Sequence, residues 1–287
     1  MSVREARGRA RAKINLILRV LEREPGGYHQ IETLFQRLAL DDDLSLRTGT
    51  ASRRLTVRWD GLAERDLGPP EANLAWCAAD AYREATGFPE TWEISLVKRI
   101  PPGAGLGGGS SDAAAVLRAL NAIAPRRLDL HELAAIGATL GTDVAFFVHD
   151  VPLATGRAHG ERITTIAPLP AARVVLAVPP FGVSTKDAYA RLAASRAGRS
   201  APSATLSDAS TWSTWPDVAR HQANDFEATV FAEHPELGEM RARLDQAGAT
   251  IARLSGTGSV VFGIWPIGGT PAIKAPEGWR LVETRTE

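Results

Sequence analysis

A glycine-rich run between two prolines and a predicted helix constrains the backbone of this chain more than any other segment. Residues 101–115 read Pro-Pro-Gly-Ala-Gly-Leu-Gly-Gly-Gly-Ser-Ser-Asp-Ala-Ala-Ala. Glycine reaches positive φ and lets backbone N–H groups approach a ligand closely. Ser110, Ser111 and Asp112 then offer N-cap chemistry ahead of an alanine-rich helix. Unpaired amides and the helix dipole favour an anion at this point, and the phosphates of a nucleotide fit best.

Other interpretations of the glycine run are weaker. Gly103-x-Gly105-x-x-Gly108 satisfies the dinucleotide fingerprint after a predicted strand at 94–97. That fingerprint usually opens its domain, and the prolines at 101–102 do not suit its tight turn. An NAD-dependent oxidoreductase stays an alternative, as does a glycine loop without a ligand. A Walker A loop and a protein kinase are excluded, since Gly-Lys-Ser/Thr, His-Arg-Asp and Asp-Phe-Gly are absent from the sequence.

Composition limits the class of protein. The chain has 287 residues, 44% of them hydrophobic, which is enough for a large core in one or two domains. The formal net charge is +0, so no overall field draws the protein to nucleic acid or to a membrane surface. The one cysteine, Cys77, cannot form an internal disulfide, which fits a reducing cytoplasm. No segment approaches the ~20 apolar residues of a spanning helix.

Hydrophobic periodicity and turn residues predict both strands and helices along the chain. We expect a turn at 25–27, a turn at 41–43 and a mobile insertion at 194–215. We expect helices at 73–85, ended by Gly87, and at 128–140, capped by Asp129 and stopped by Gly141. The predicted strands are 11–21, 31–40, 44–47, 55–59, 91–100 and 174–178.

Two side chains and a second glycine loop are further candidates for the functional site. Lysine occurs only at 13, 98, 186 and 274, so arginine supplies the other 29 of the 33 basic residues. Lys13 shares a strand face with Asn15 by period two, and arginine cannot replace a compact ammonium. Asp143 directly precedes an apolar run, as either a helix cap or a site carboxylate. A second glycine loop, at 255–258, precedes a buried strand and is predicted to form a second backbone wall of a phosphate-sized cavity.

Four segments together resemble the GHMP small-molecule kinases. They are residues 12–16 (Ala-Lys-Ile-Asn-Leu), 27–29 (Gly-Tyr-His), 101–113 and 255–258 (Ser-Gly-Thr-Gly). Supporting matches are 140–143, 156–161, 184–189 and 224–227 (Asn-Asp-Phe-Glu), and the similarity spans about residues 11–263. The triple glycine and Gly-Tyr-His are typical of the branch with cytidyl substrates. Arg11, Gly26 and Ala145 depart from the family pattern without removing a group that does chemistry.

The resemblance implies roles for individual residues. Asp143 would take the proton from the substrate hydroxyl, and Lys13 would lie beside it and offset charge that develops on oxygen. Mg²⁺ would be held by the ATP phosphates and by the hydroxyl of Ser110 or Ser111. Asp112 is given no catalytic role, and a plain helix N-cap explains Asn73 equally well. The implied ATP contacts are Pro101, Pro102, Gly103, Ala104, Gly105, Leu106, Gly107, Gly108, Gly109, Ser110, Ser111, Asn73 and Lys98. The implied substrate contacts are Asn15, Tyr28, His29, Tyr189, Gly256 and Thr257.

The resemblance also implies a fold and an activity. The fold is α/β, with two α+β domains and an active site in the cleft between them. An N-terminal ATP-binding domain like domain 2 of ribosomal protein S5 would span 1–155, and a C-terminal ferredoxin-like domain 156–287. With ATP and Mg²⁺, the protein would phosphorylate the 2-hydroxyl of a cytidine-diphosphate-linked methylerythritol in the non-mevalonate isoprenoid pathway.

The implied setting is a cytoplasmic monomer or weak homodimer without nucleic-acid or membrane partners. Three alternatives remain open: a GHMP kinase of the homoserine or mevalonate type, an NAD-dependent oxidoreductase, and a nucleotide-binding regulator without turnover. The presence of both Lys13 and Asp143 argues against the regulator, since a decayed site usually loses one of them.

Overall fold

A computed structural model describes residues 3–24, 26, 29–197, 206, 212–266 and 272–287. The chain divides into two compact units, each built from separate segments. The first unit comprises Met1–Ala12, Leu40–Pro101 and Gly107–Val151, and the second comprises Lys13–Ala39, Pro102–Leu106 and Pro152–Glu287. The predicted domain boundary after residue 155 stays a prediction.

Both strands and helices occur in each half of the described chain, and several of them follow an element of the same kind. The strands are β1 (Arg4–Arg23), β2 (His29–Thr48), β3 (Arg54–Trp59), β4 (Trp92–Lys98), β5 (Leu153–Arg157), β6 (Arg162–Ile166), β7 (Arg173–Val178), β8 (Ala223–Asn224), β9 (Ile251–Leu254), β10 (Val261–Trp265) and β11 (Arg280–Arg285). The helices are α1 (Leu74–Thr86), α2 (Gly108–Ile123), α3 (Leu130–Leu140), α4 (Val144–His149), α5 (Thr185–Ser195), α6 (Trp215–His221), α7 (Glu227–Glu233) and α8 (Pro235–Gln246).

In the first unit, β4 lies inside a half-buried sheet. It pairs in parallel with β3 and antiparallel with the second half of β2. Ile94 and Leu96 are buried, whereas Ser95 between them is exposed, the alternation of a sheet with one covered face. Helices α1 and α4 both pack on α2. Small alanines allow this close approach, and most of the α2 residues from Ser111 to Leu120 are buried.

In the second unit, β7 and β10 are the inner strands of a four-stranded sheet in the order β11-β7-β10-β9. Every pair in it is antiparallel. In chain order these strands read 4-1-3-2, which agrees with the ferredoxin-like arrangement expected here. Helices α5, α7 and α8 contribute to the apolar cluster that this sheet shares, around residues such as Phe226 and Met240.

The site-bearing parts of β1 and β2 also belong to the second unit. β8 pairs in parallel with β1 through Ile17 and Ala223. β5 pairs antiparallel with β2 through Gly156 and Thr33, and β6 continues from β5. These ladders fix residues 13–36, where several predicted site residues lie.

The predicted capping residues of α1 and α3 are confirmed. Asn73 caps α1 with its side chain, and Gly87 ends it in the left-handed region. Asp129 and Glu132 form a capping box at the start of α3. The mixed helix and strand content agrees with the predicted α/β fold class.

The predicted turn at 41–43 is wrong, because β2 continues through it. Asp42 is fully buried, and its carboxylate accepts a hydrogen bond from the Ile100 amide at 2.9 Å. Three consecutive aspartates indicate a turn when read locally. Here the central one satisfies backbone groups at the end of β4.

Two other expectations are settled only in part. Of the predicted turn at 25–27 only Gly26 is described, and of the predicted insertion at 194–215 the residues 198–205 and 207–211 lie outside the described residues. Near the end of the chain, β11 pairs with β7 from Arg280 to Arg285. No helix in the described ranges has the length and apolar character needed to cross a bilayer.

Candidate active site

In the first unit, helix α2 begins with backbone amides that no side chain caps, as far as the described residues extend. Its N-cap is Gly107, in the left-handed region at φ 70°. The predicted N-cap chemistry of Ser110, Ser111 and Asp112 is wrong, because the helix starts at Gly108 and includes all three. First-turn amides have no partner within a helix, so this terminus can bind an anion.

Gly108 lacks a side chain because the helix start packs on the end of β4. A methyl group there would stand 3.0 Å from Ile100 Cγ2 and 3.6 Å from Lys98 Nζ. Gly109 faces the start of α1, where a methyl would be in ordinary contact, 3.7 Å from Leu74 Cδ1. Packing within the unit therefore favours glycine at position 108 but not at position 109.

Lys98 lies in a buried ion cluster. Its ammonium contacts the carboxylates of Asp42 and Asp112, and the three residues are 4%, 0% and 3% exposed. Burial alone would lower the pKa of Lys98, but the two carboxylates outweigh it and raise that pKa. Burial raises the pKa of Asp112 well above that of an ordinary aspartate, and nearby Asp42 adds to the rise while Lys98 opposes it. A proton taken up by Asp112 would balance the charge of two carboxylates against one ammonium.

This cluster joins the start of α2 to strands β2 and β4. The contact of Lys98 with ATP stays a prediction. What the structure shows is that the Lys98 ammonium pairs with two carboxylates. Sequence reasoning assigned Asp112 to a cap and Asp42 to a turn, and so missed the cluster. The alternation of side chains along a strand could have revealed the burial of Asp42, because Asp42, Leu44 and Leu46 are buried on the same face of β2.

Asp143 occupies the N-cap position of α4, yet its carboxylate makes no capping hydrogen bond to that helix. The sequence left open whether Asp143 is a cap or a site carboxylate, and capping does not use this side chain. The turn before it lies near Ser110: a methyl on Gly141 would stand 3.9 Å from Ser110 Oγ. The first unit thus brings the predicted Ser110 hydroxyl beside the turn that carries Asp143.

Asn73 is an N-cap, as the simpler interpretation predicted. Its side chain accepts a hydrogen bond from the Ala75 amide at 3.0 Å. The start of α1 lies beside the start of α2 through the Leu74–Gly109 approach. An ATP contact of Asn73 stays a prediction.

In the second unit, the two predicted glycine loops contact each other directly. The Val260 amide donates to Ala104 O at 3.2 Å, and Ser255 Oγ donates to Gly105 O at 2.8 Å. A methyl on Gly105 would stand 2.0 Å from Ser255 O, so backbone rather than ligand fills that space. Gly103, at φ 67°, has nothing within 4 Å of its own methyl position. The two loops lie together as predicted, with Gly105 as the point of closest approach. The phosphate-sized cavity expected between them stays a prediction.

Lys13 lies beside these loops at the start of a buried hydrogen-bond chain. Its ammonium donates to Asn15 Oδ1 at 2.6 Å, and Asn15 Nδ2 donates to Thr33 Oγ1 at 2.7 Å. Thr33 Oγ1 in turn donates to Ile17 O at 2.8 Å. The Lys13 amide donates to Leu106 O at 3.0 Å, so backbone and side chain of Lys13 are both fixed. Thr33 was missed by sequence reasoning, although period two on β2 places it on one face with buried Ile31 and Phe35.

His29 and Tyr189 stack on each other in the second unit. Their ring centroids lie 5.3 Å apart at an interplanar angle of 29°. Phe226 supports Tyr189 edge-on at 4.8 Å. Burial, followed by the charges of Arg23 and Arg196, lowers the pKa of His29, which favours a neutral imidazole that can donate and accept hydrogen bonds. Tyr28, the third predicted member, lies outside the described residues.

The loop with Gly256 and Thr257 connects the Lys13 region to α5. A methyl on Gly256 would stand 3.6 Å from Lys13 Nζ. The hydroxyl of Thr257 lies 3.1 Å from that of Thr185 in the first turn of α5, the helix that carries Tyr189. The second unit therefore contains a continuous set of predicted substrate residues.

The predicted site residues thus form one group in each unit. The first unit holds Asn73, Lys98, Pro101, Gly107, Gly108, Gly109, Ser110, Ser111 and Asp143, and the second holds Lys13, Asn15, His29, Pro102, Gly103, Ala104, Gly105, Leu106, Tyr189, Gly256 and Thr257. Within the described ranges, no three His, Cys, Asp or Glu side chains are arranged to hold a metal ion.

Comparison with known proteins shows the family of this chain. A family model described as GHMP kinases N terminal domain matches residues 73–150, and one described as GHMP kinases C terminal matches residues 209–266. A 4-diphosphocytidyl-2-C-methyl-D-erythritol kinase of Solibacter usitatus is 40% identical over 267 residues, which are 92% of this chain and 82% of the relative. The same-named kinase of Solidesulfovibrio magneticus is 44% identical, covering 88% of this chain and 86% of the relative.

A solved structure gives the same answer at the level of the fold. The crystal structure of a 4-(cytidine 5'-diphospho)-2C-methyl-D-erythritol kinase aligns with a TM-score of 0.73 and 34% identity, covering 98% of this chain and 99% of the other. The resemblance on which the site residues were chosen is thereby confirmed over nearly the full length. The chain belongs to the GHMP kinases, and within that family to the group of the 4-diphosphocytidyl-2-C-methyl-D-erythritol kinases.

Proposed function

We propose that this protein transfers the γ-phosphoryl group of ATP to the 2-hydroxyl of 4-diphosphocytidyl-2-C-methyl-D-erythritol in the non-mevalonate isoprenoid pathway. The products are the 2-phosphate and ADP. The observation that carries the proposal is the stacked His29–Tyr189 pair in the same compact unit as the Lys13 chain and the two glycine loops. An aromatic pair with a neutral imidazole suits a cytosine ring, and neither homoserine nor mevalonate contains such a ring. Membership of the GHMP kinases removes the dinucleotide alternative.

ATP is bound chiefly by backbone in this proposal. The amides at the start of α2 face the phosphates, and the open positive-φ position of Gly103 lets the loop approach them. The Lys98 cluster holds α2 in place. Asn73, at the start of α1, is proposed to lie toward the adenosine.

The chemical step needs positioning, a proton acceptor and charge stabilisation. The 2-hydroxyl oxygen attacks the γ-phosphorus, the bond from that phosphorus to the bridging oxygen breaks, and ADP leaves with the bonding electrons. Asp143 accepts the hydroxyl proton, a role supported by a carboxylate that capping does not use. The Lys13 ammonium, fixed by Asn15 and Thr33, offsets charge on the reacting oxygens.

Mg²⁺ fits the donor set present. This ion keeps several waters and usually takes only one or two protein oxygens beside the substrate phosphates. The Ser110 hydroxyl, which lies next to the turn that carries Asp143, would supply one such oxygen. When bound, the ion would neutralise charge on the β- and γ-phosphates.

We also propose a cytoplasmic monomer or weak homodimer with small-molecule partners only. One cysteine and a formal net charge of +0 support this setting. Sedimentation velocity at micromolar concentration tests the oligomeric state, and a stable higher oligomer would contradict it.

The test is an ADP-release assay over a panel of alcohols. The panel contains the cytidylated methylerythritol, methylerythritol phosphate without cytidine, homoserine and mevalonate. We expect turnover only with the cytidylated substrate, and phosphorus NMR should show a new monoester at carbon 2. Preferred turnover of homoserine or mevalonate would overturn the proposal.

A further inference from the structure

Residues 224–227, one of the family matches in the sequence, make several buried contacts in the second unit. Asn224 Nδ2 donates to Leu254 O and Gly256 O at 2.8 and 2.7 Å, which ties it to the second glycine loop. Phe226 packs edge-on against Tyr189. Glu227 accepts from the Leu254 amide at 2.9 Å. The carboxylate of the remaining member, Asp225, bonds instead to strand β1 and to the end of α5.

Asp225 fixes strand β1 and the end of α5 to each other. Its carboxylate accepts from the Val20 amide at 2.9 Å and from Arg196 Nη2 at 2.7 Å. Arg196 also donates to Val20 O at 2.6 Å, so that Val20, Asp225 and Arg196 are joined in a ring of hydrogen bonds. Asp225 and Arg196 are 9% and 27% exposed at their side chains, and Arg19 adds a weaker contact at 3.5 Å. Hydrogen bonds between charged groups are among the stronger ones in proteins.

Arg196 is the C-cap residue of α5, the helix that carries Tyr189. The N-terminus of that helix is held separately, by the Ser184 cap and the Thr185–Thr257 hydroxyl contact. Because the Arg196–Asp225 pair fixes the other end, it limits how α5 can slide or rotate. Aromatic pairs prefer offset-stacked or edge-to-face arrangements with centroids about 4.5–7 Å apart, so such a restraint helps to keep His29 and Tyr189 in a stacked geometry.

We infer that Arg196 and Asp225 are positioning residues for the cytidyl subsite: their ion pair, anchored on Val20, holds α5 so that Tyr189 stays stacked with His29. The inference rests on the proposed function only in taking that stack as the place of the cytosine. Arg196 and Asp225 act through α5 and not by contact with the reacting atoms. The pair should therefore affect recognition of the cytidyl group and leave the ATP side unchanged.

The experiment compares Arg196→Gln, Arg196→Lys and Asp225→Asn with the parent chain. Asp225→Asn keeps an acceptor for the Val20 amide and removes the ion pair. KM is measured for each substrate in turn, kcat at saturation, and cytidine 5′-diphosphate binding by calorimetry without ATP. All assays are run at least about 15 °C below each variant's Tm, so that unfolding does not contribute.

We expect KM for the cytidylated substrate and Kd for cytidine 5′-diphosphate to rise about tenfold in Arg196→Gln and Asp225→Asn. KM for ATP and kcat should stay within about twofold. Arg196→Lys should recover part of the loss, because an ammonium can still reach one partner. Tyr189→Ala sets the upper limit of the effect. Arg191→Gln is the matched control, because Arg191 lies on the same helix but pairs with Glu233.

Three results would overturn the inference. They are an unchanged KM for the cytidylated substrate, an equal rise in both KM values, or the same loss in Arg191→Gln as in Arg196→Gln. Failure of the proposed function looks different. In that case the parent chain would not turn over the cytidylated substrate, while weaker cytidine 5′-diphosphate binding in Arg196→Gln would still support the positioning role.

Discussion

A single methyl group added at Gly105 should separate the two glycine loops of the second unit. Gly105 has φ +77°, and its missing side chain is replaced by the backbone of Ser255. Gly68 has the same φ of +77° but nothing within 4 Å of its methyl position, and it lies outside the predicted site. Gly105→Ala and Gly68→Ala therefore share the conformational cost and differ in the clash alone.

The magnitude follows from those distances. A left-handed conformation costs alanine about 1–2 kcal/mol at either position. At Gly105 the methyl would stand 2.0 Å from Ser255 O, which is 1.4 Å inside the 3.4 Å of ordinary contact (3.4 − 2.0). Backbone shifts of this kind add about 1–3 kcal/mol. We therefore expect the free energy of unfolding to fall by about 2–5 kcal/mol in Gly105→Ala, against about 1–2 kcal/mol in Gly68→Ala.

Thermal unfolding and steady-state kinetics of both variants test this expectation. At about 2 °C per kcal/mol for a chain of this length, the two Tm values should differ by several degrees. A displacement of about 1 Å beside Lys13 should also lower kcat/KM about 100-fold in Gly105→Ala only. Equal Tm losses with normal turnover in both variants would refute the contact between the loops.

Three further predictions concern charge. Asp143→Asn should lower kcat about 10²–10⁴-fold with little change in KM for ATP, and a near-normal kcat would remove Asp143 from the mechanism. Because the pKa of His29 is lowered, mainly by burial, KM for the cytidylated substrate should be constant above pH 6.5 and rise only well below it; a KM that falls on acidification would contradict a neutral imidazole. Lys98→Met leaves two buried carboxylates without their cation and should cost about 3–5 kcal/mol in urea unfolding. Asp112→Asn should cost clearly less, and equal losses would contradict the charge balance of the cluster.

The sequence alone determined the features that depend on short stretches of backbone. The caps at Asn73 and Asp129 and the stop at Gly87 were predictable, because each is satisfied by groups within a few residues. The helix after the glycine run was also predictable, although its N-cap is Gly107 and not one of Ser110, Ser111 and Asp112. The resemblance selected further site residues at positions where physical reasoning alone left alternatives, as at Asp143.

Only the tertiary structure decided which distant groups meet. Asp42 reaches Lys98 across 56 residues of sequence, and Ser255 reaches Gly105 across 150. Arg196 reaches Val20 across 176 residues. The glycine pattern indicates that no side chain fits at position 105, but it cannot tell a ligand from another backbone segment. Sequence periodicity records which face of a strand is buried, whereas the partner of each buried polar group is fixed only when the chain has closed those long loops.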